Sequence, residues 1–421
     1  MKIKIKELSY EQALKQKKQK RKKPLSVSLF FRLLLYIVSI PDLLATHFKL
    51  KKTGMEKLSK KENCLFLMNH SSFIDLEIAV HTLFPRRVNI VATSDSFVGK
   101  ALLLRLIGCI PTNKFTSDVS LVRDIMYASK ELKSSILLFP EASYSFDGTA
   151  TPLPDSIGNF IKKLSLPVVM IKTEGAFTRD PLYNGLQRRK VNVSAEHKFL
   201  LSSEDISRLS TEEIQKIVEK EFDFDNFSWQ KDNNILVKED FRADFLNRVL
   251  YKCPHCNTEG NTEGKGVFLS CKSCGKSYFM QENGQLQPTD GEGAFSHVPS
   301  WYAWQRECVR RECESGEYSV TLAVDICVSF DCHKIYRVGE GVLTHNCNGF
   351  SLTGCNGALS YSQGVRASYS LYSDFNWYEI GDMVCIGNSR VLYYCFPKTK
   401  GDVVAKMRLA AEELYKIATG K

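Results

Sequence analysis

The most hydrophobic stretch of this sequence, residues 25–48, lacks an uninterrupted run of 18 apolar residues: Arg32 interrupts it early and Pro41-Asp42 breaks it. A simple spanning helix is therefore not expected there. The A-x-A-like site that would follow a signal peptide is missing too, and the basic N-terminal region is too long for one. Acidic residues are scarce at the start. Residues 1–23 hold ten Lys or Arg against only Glu7 and Glu11, a net +8 out of the +10 carried by all 421 residues. The rest of the chain is near neutral, which excludes the uniform basicity of a nucleic-acid-binding surface. Cysteine is almost absent from the first 250 residues, with Cys64 and Cys109 alone, whereas twelve of the fourteen lie beyond. Without a secretion signal such thiols are expected in a reducing compartment, as core residues or metal ligands rather than disulfides. The composition, 43% hydrophobic and 25% charged, excludes a mainly disordered, collagenous or polytopic membrane protein. The length calls for two or three domains.

The basic tail, residues 1–24, runs directly into the apolar stretch, and Lys49, Lys51 and Lys52 close it. The pattern predicts two short helices that meet at Pro41 and lie in one leaflet, with flanking Lys and Arg on anionic head groups. The expected partner is thus an anionic membrane surface, engaged through residues 1–55 at the cytoplasmic face of the cell membrane. A buried core helix behind a solvated tail is the alternative.

From residue 56 to about 225, short apolar runs alternate with amphipathic stretches. Strands are expected at 64–68, 88–92, 135–139, 168–172 and 191–195, and helices at 73–83, 97–107, 119–132 and 156–164. That alternation predicts an α/β domain with a largely parallel sheet flanked by helices. Chemistry in such sheets sits in the loops beyond strand carboxyl ends. The first strand runs into Asn69-His70-Ser71-Ser72-Phe73-Ile74-Asp75. There a His in the loop can meet an Asp on the first helical turn, which holds the imidazole in one tautomer and stabilises the imidazolium. Later loops bring Lys114, in 108–115, and Glu141, Ser143 and Tyr144, in 139–148, to the same edge.

The NHxxxxD block, the 108–115 turn, the Phe139-Pro140-Glu141 block and the Leu166–Lys172 segment, in this order, resemble the blocks of the glycerolipid acyltransferase family. That family is typified by bacterial-type 1-acylglycerol-3-phosphate acyltransferases, and the resemblance covers about residues 45–205. It implies O-acyl transfer from acyl-CoA or acyl carrier protein to a lipid hydroxyl, most directly that of 1-acyl-sn-glycerol 3-phosphate in phospholipid biosynthesis. His70 would be the general base and Asp75 its orienting carboxylate. Asn69, Lys114, Glu141, Ser143 and Tyr144 would line the substrate site. The oxyanion would be met by backbone N–H groups or a water near the start of the helix after His70. The sequence departs from the family where block III, usually Glu-Gly-Thr-Arg, reads Glu141-Ala142-Ser143-Tyr144, and where block II ends in Lys114 rather than Arg. Both changes weaken bidentate phosphate recognition. A lyso-lipid, glycolipid or amino-lipid of another head group is the alternative acceptor.

Further on, Cys253-x-x-Cys256 and Cys271-x-x-Cys274 form two knuckles. They predict a four-thiolate zinc ribbon at 245–285, a closed structural Zn2+ site with no open coordination position. Its lysines are offset by glutamates, so no specific nucleic acid is expected. A non-enzymatic zinc-ribbon protein that binds membrane or nucleic acid is the remote alternative. Residues 295–421 read as a helix at 300–314, short β-runs, and an amphipathic helix at 402–417. By strand count this β-rich domain with its terminal helix resembles a pleckstrin-homology-like barrel.

Overall fold

The computed structural model describes residues 3–59, 61–116, 118–398 and 402–421. Met1 and Lys2 of the basic tail lie outside the described residues.

The first sheet has seven strands in the order Lys49–Thr53, Ser194–Leu201, Val168–Glu174, Leu65–Met68, Ser135–Leu138, Val88–Thr93 and Cys109–Thr112. It is mixed. Ser194–Leu201 runs antiparallel to Val168–Glu174, and the other neighbouring pairs are parallel. Alternation along the central strand separates two cores, as period-2 geometry requires. Phe66 and Met68 face the core shared with the helix Ile74–Thr82, while Leu65 and Leu67 face the core of the helices Val119–Lys130, Ile157–Leu164 and Thr211–Phe222. Two strands carry no apolar pattern that sequence reading could use. Lys49–Thr53 is an exposed, Lys-rich edge strand, and Cys109–Thr112 occupies part of the segment expected as a turn.

A four-stranded antiparallel sheet follows, in the order Leu286–Pro288, Ser277–Met280, Phe268–Cys271 and Thr262–Lys265. Then come the helix Val298–Glu314 and a larger sheet whose path is Leu359–Gln363, Gly349–Gly354, Ile335–Asn346, Ser319–Ser329, Leu392–Pro397, Gly381–Gly387 and Tyr372–Trp377. Several of the expected short β-runs are halves of longer strands. Ser319–Ser329 is continuous through a register shift between Ile326 and Cys327. Among the described residues the end strands Leu359–Gln363 and Tyr372–Trp377 do not pair, so backbone hydrogen bonds do not close a barrel. The terminal helix Val403–Thr419 packs Val404, Ala405, Leu409, Ala410 and Leu414 into a core that also takes Leu269 and Tyr278 of the four-stranded sheet and Phe146 and Phe177 of the first domain.

The basic segment is docked on the body rather than trailing from it. Its strand Ile5–Glu7 pairs in parallel with Ile335–Asn346, Tyr10 Oη meets Tyr393 Oη at 3.1 Å, and Ala13 is buried. Arg21 bonds Asp118, Asp124 and the Pro111 carbonyl. The two helices expected to meet at Pro41 are one, Leu29–Ala45, which continues through the proline; about 25 Å long, it starts at the Ser28 N-cap. Its inner face is fixed by stacking of Tyr36 on His81 and by ion pairs from Asp42 to Arg179 and Arg188. Leu29, Phe30, Leu33, Ile37, Val38 and Leu44 remain exposed on the outer face. Among the described residues no helix is long and apolar enough to cross a membrane.

Candidate active site

Three adjacent parallel strands, Ser135–Leu138, Leu65–Met68 and Val168–Glu174, end at one edge of the first sheet, and their loops carry the polar residues expected there. Asn69 ties two of these strands. Its Oδ1 accepts Thr173 N–H at 2.8 Å and lies 3.2 Å from the Thr173 hydroxyl oxygen, and its Nδ2 donates to Thr173 O at 3.1 Å. The amide expected to line the substrate site is thus used within the protein, and it sets where His70 leaves the strand.

Asp75 is buried and His70 faces it, Nδ1 to Oδ2 at 3.3 Å. The same Oδ2 accepts the N–H groups of Ser71, at 2.6 Å, and Ser72, at 3.0 Å, while Oδ1 accepts the Thr173 hydroxyl at 3.1 Å. Two N–H groups at the start of the helix, expected to be open to an oxyanion, are therefore committed to Asp75. Burial lowers the His70 imidazole below its ordinary range, against the raising pull of Asp75, so the neutral base prevails at pH 7. Its ring lies between Phe139, at 4.3 Å between centroids, and Tyr144, at 4.4 Å.

Glu141 is buried beneath this loop and holds it. Oε2 accepts His70 N–H and Oε1 accepts Thr151 N–H, both at 2.8 Å. Burial pushes its carboxyl up to about 7, although both N–H bonds pull the other way. Ala142 takes φ +56°, the left-handed region in which the glycine usual in this block is free of strain. Ser143 is buried, and among the described residues its Oγ has no hydrogen-bond partner.

Lys114 reaches the same edge, and there the larger C-terminal sheet covers it. Its ammonium lies 4.3 Å from the centre of the Tyr372 ring. Burial lowers its affinity for the proton, while Asp95 and Asp374 raise it. Asp95 in turn accepts the Tyr372 hydroxyl and the Trp377 indole N–H, the latter at 3.0 Å. Burial raises the Asp374 carboxyl to about 7, against the pull of Lys114. The 139–148 loop is covered as well. Phe146 packs on Phe375 at 4.5 Å, and Arg408 of the terminal helix stands 4.4 Å over Phe146 and reaches the Tyr144 carbonyl. Asp95, Tyr372 and Asp374 escaped sequence reading because nothing in a single sequence links positions some 280 residues apart. A third cation, Arg179, is buried between Asp42 and Asp180.

Away from this edge, Cys253, Cys256, Cys271 and Cys274 bring four sulfurs within 4.8 Å of one another. Two of the separations, Cys253 to Cys274 and Cys256 to Cys271, are 3.7 Å. Tetrahedral thiolates about 2.3 Å from a zinc ion stand roughly 3.8 Å apart. The donor set and its spacing fit a metal ion, and the cluster could hold one.

No curated protein sequence matches this chain. Among solved structures, the 1-acyl-sn-glycerophosphate (LPA) acyltransferase PlsC from Thermotoga maritima is similar over 45% of this chain and 78% of its own, at 16% identity and a TM-score of 0.35. The family model described as Acyltransferase matches residues 49–172, which include His70, Asp75, Lys114 and Glu141. That match spans residues 49–172, the part of the chain that brings His70, Asp75 and Glu141 together at one sheet edge, and it makes this stretch similar to the Acyltransferase family.

Proposed function

We propose that this protein is an O-acyltransferase of lipid synthesis, which moves a fatty acyl group from the thioester of acyl-CoA or acyl carrier protein to a lipid hydroxyl. The observation that carries this reading is the His70–Asp75 pair within the stretch similar to the Acyltransferase family. Asp75 holds the Nδ1 proton, which leaves Nε2 as the base. Nε2 takes the proton of the acceptor hydroxyl as its oxygen attacks the thioester carbonyl. The carbon–sulfur bond then breaks, and the thiolate takes the proton back from the imidazolium. No acyl-enzyme forms, so no Ser or Cys nucleophile is required. Glu141 and Asn69 act as positioning residues that fix the loop bearing His70.

For the acceptor, the motif resemblance points to 1-acyl-sn-glycerol 3-phosphate. A second reading, an acceptor without a phosphomonoester, is favoured by Tyr144 in place of the usual arginine and by the carboxylates opposed to Lys114. The working place proposed is the cytoplasmic face of the membrane, reached through residues 1–55. The thiolate cluster is proposed to hold structural zinc. The test is transfer of labelled acyl groups from acyl-CoA to a panel of lyso-lipids. His70→Ala is expected to abolish transfer while melting temperature and metal content stay unchanged; undiminished transfer would refute the reading.

A further inference from the structure

The cation that a phosphate would need at this edge is already answered by the protein. Lys114 lies on the Tyr372 ring with Asp95 and Asp374 acting on it, and both Tyr372 and Asp374 belong to the strand Tyr372–Trp377 of the C-terminal sheet. The two other cations brought near are also engaged. Arg179 is held by Asp42 and Asp180, and Arg408 by Glu412 at 3.3 Å. Tyr144, where the family resemblance leads one to expect a guanidinium, presents a ring to His70 instead.

A phosphomonoester placed here brings up to two negative charges toward Asp95 and Asp374 and meets, in Arg179 and Arg408, guanidinium forks already paired with carboxylates. An uncharged polyol meets different chemistry. A carboxylate such as that of Asp374 accepts from hydroxyls, the Tyr144 ring stands beside His70, and among the described residues the buried Ser143 hydroxyl has no partner. Tyr372 and Asp374, both carried by the C-terminal sheet, thus act on the lysine that the 108–115 segment brings to this edge.

We infer that the C-terminal sheet, through Asp374 and Tyr372 against Lys114, makes the acceptor site select a lyso-lipid with an uncharged, hydroxyl-bearing head over one that carries a phosphomonoester. This inference rests on the acyl-transfer reading, and a binding measurement keeps the two separable. Monooctanoylglycerol and monooctanoylglycerol 3-phosphate are titrated calorimetrically into the full chain below their micelle concentrations. The titration is made at pH 8, where a carboxyl that titrates near 7 is charged. The wild type is expected to bind the uncharged ligand about tenfold tighter or more, and Asp374→Asn to tighten the phosphate-bearing ligand by about tenfold. Lys114→Gln on top of Asp374→Asn is expected to cancel that gain, which a merely structural role of Asp374 would not do. Equal or tighter binding of the phosphate-bearing ligand by the wild type would overturn the inference. So would an unchanged ratio in Asp374→Asn. Should Asp374→Asn prove unstable, the wild-type comparison still tests the selectivity, and Tyr372→Phe, which keeps the ring on Lys114, is used as the folded background for Lys114→Gln. Failure of the acyl-transfer reading shows separately, as turnover that does not depend on His70.

Discussion

One oxygen of the Glu141 carboxylate accepts the backbone N–H of His70 and the other accepts that of Thr151, each at 2.8 Å. The site resemblance places this residue on the acceptor, yet both of its oxygens serve the fold of the loop that carries the base. An amide cannot do the same work. In Glu141→Gln one NH2 must face a backbone N–H, a mismatch costing about 1–3 kcal/mol. The variant is expected to lose roughly 10- to 100-fold in kcat with little change in KM, measured by acyl transfer at saturating donor. A change confined to KM would instead favour direct acceptor contact.

The same carboxyl sets a pH signature. Its proton is held up to about 7 from an ordinary 4.5 by burial. A carboxyl raised in the folded state contributes stability that is full below the ordinary value and is lost as the pH rises through about 7. Activity runs the other way, because only the anion offers acceptors to both N–H groups. The kcat profile is expected to rise through pH 7, and in Glu141→Gln to keep only the acid limb of His70, which burial places below 6.5. A wild-type profile flat from pH 6.5 to 8 would contradict this assignment.

Asp75 separates orientation from charge. Its Oδ2 gathers Ser71 N–H, Ser72 N–H and His70 Nδ1, and its Oδ1 takes a hydroxyl from Thr173 that can turn round to donate elsewhere or accept. Asp75→Asn can keep an oxygen toward the two N–H groups and present its NH2 to the Thr173 hydroxyl. The loop survives, but the negative charge that stabilises the imidazolium is gone. The expected outcome is a melting temperature within a few degrees of wild type and a kcat lower by about 10²- to 10⁴-fold. Equal losses of stability and activity would reduce Asp75 to a structural residue.

Much of this edge was legible because its residues are close in sequence. Asn69, His70 and Asp75 sit on one strand–loop–helix turn, and the buried runs 65–68, 135–138 and 168–174 carry the apolar β signal of strands covered on both faces. The Lys49–Thr53 strand was not, because an exposed edge paired on one side needs no apolar residues. Pro41 misled in the other direction. A break is the local expectation, but the helix continues through Pro41, with Tyr36 stacked on His81 and Asp42 paired with Arg179 and Arg188. The surroundings of Lys114 lie wholly in tertiary structure. No local pattern links it to Tyr372 and Asp374, and a lysine that looks available for an anion is already opposed.

The thiolate cluster makes a prediction about the whole molecule. Leu269, Tyr278, Met280 and Leu286 of the surrounding sheet share a core with Trp301, with Phe146 of the catalytic-side loop and with the terminal helix. Metal loss therefore should not remain local. Even about 3 kcal/mol of lost metal coupling lowers the melting temperature by roughly 6–12 °C in a domain of 150–250 residues. Cys256→Ser is expected to abolish stoichiometric metal, measured by elemental analysis, to lower the melting temperature by at least that much, and to reduce acyl transfer in proportion to the folded fraction. An unchanged melting temperature in a metal-free variant would show that the cluster carries no fold-wide load.

The proposed membrane attachment has two physical parts that can be tested separately. Removing residues 1–23 is a poor test, since it also takes away the strand Ile5–Glu7, the buried Ala13 and the Arg21 bonds to Asp118 and Asp124. Charge and apolar face are better changed in place. Lys15, Lys17, Lys20 and Lys22 are exposed, and each is expected to add about 1 kcal/mol of attraction to an anionic surface at low salt. Phe30 and Ile37 project from the outer face of Leu29–Ala45, whose inner face is pinned to the body. Withdrawing each from an acyl environment forfeits about 1.5–3 kcal/mol whatever the salt. In vesicle sedimentation, fourfold Lys→Gln is expected to weaken binding to phosphatidylserine-containing vesicles strongly at 50 mM salt. At 1 M salt the difference should vanish, because the Debye length falls to about 3 Å. Phe30→Ser with Ile37→Ser is expected to weaken binding by tenfold or more at both salt concentrations and to neutral vesicles alike. If both variants sediment as the wild type does, this face is not what meets the membrane, and the acceptor must be delivered to the His70 edge by another route.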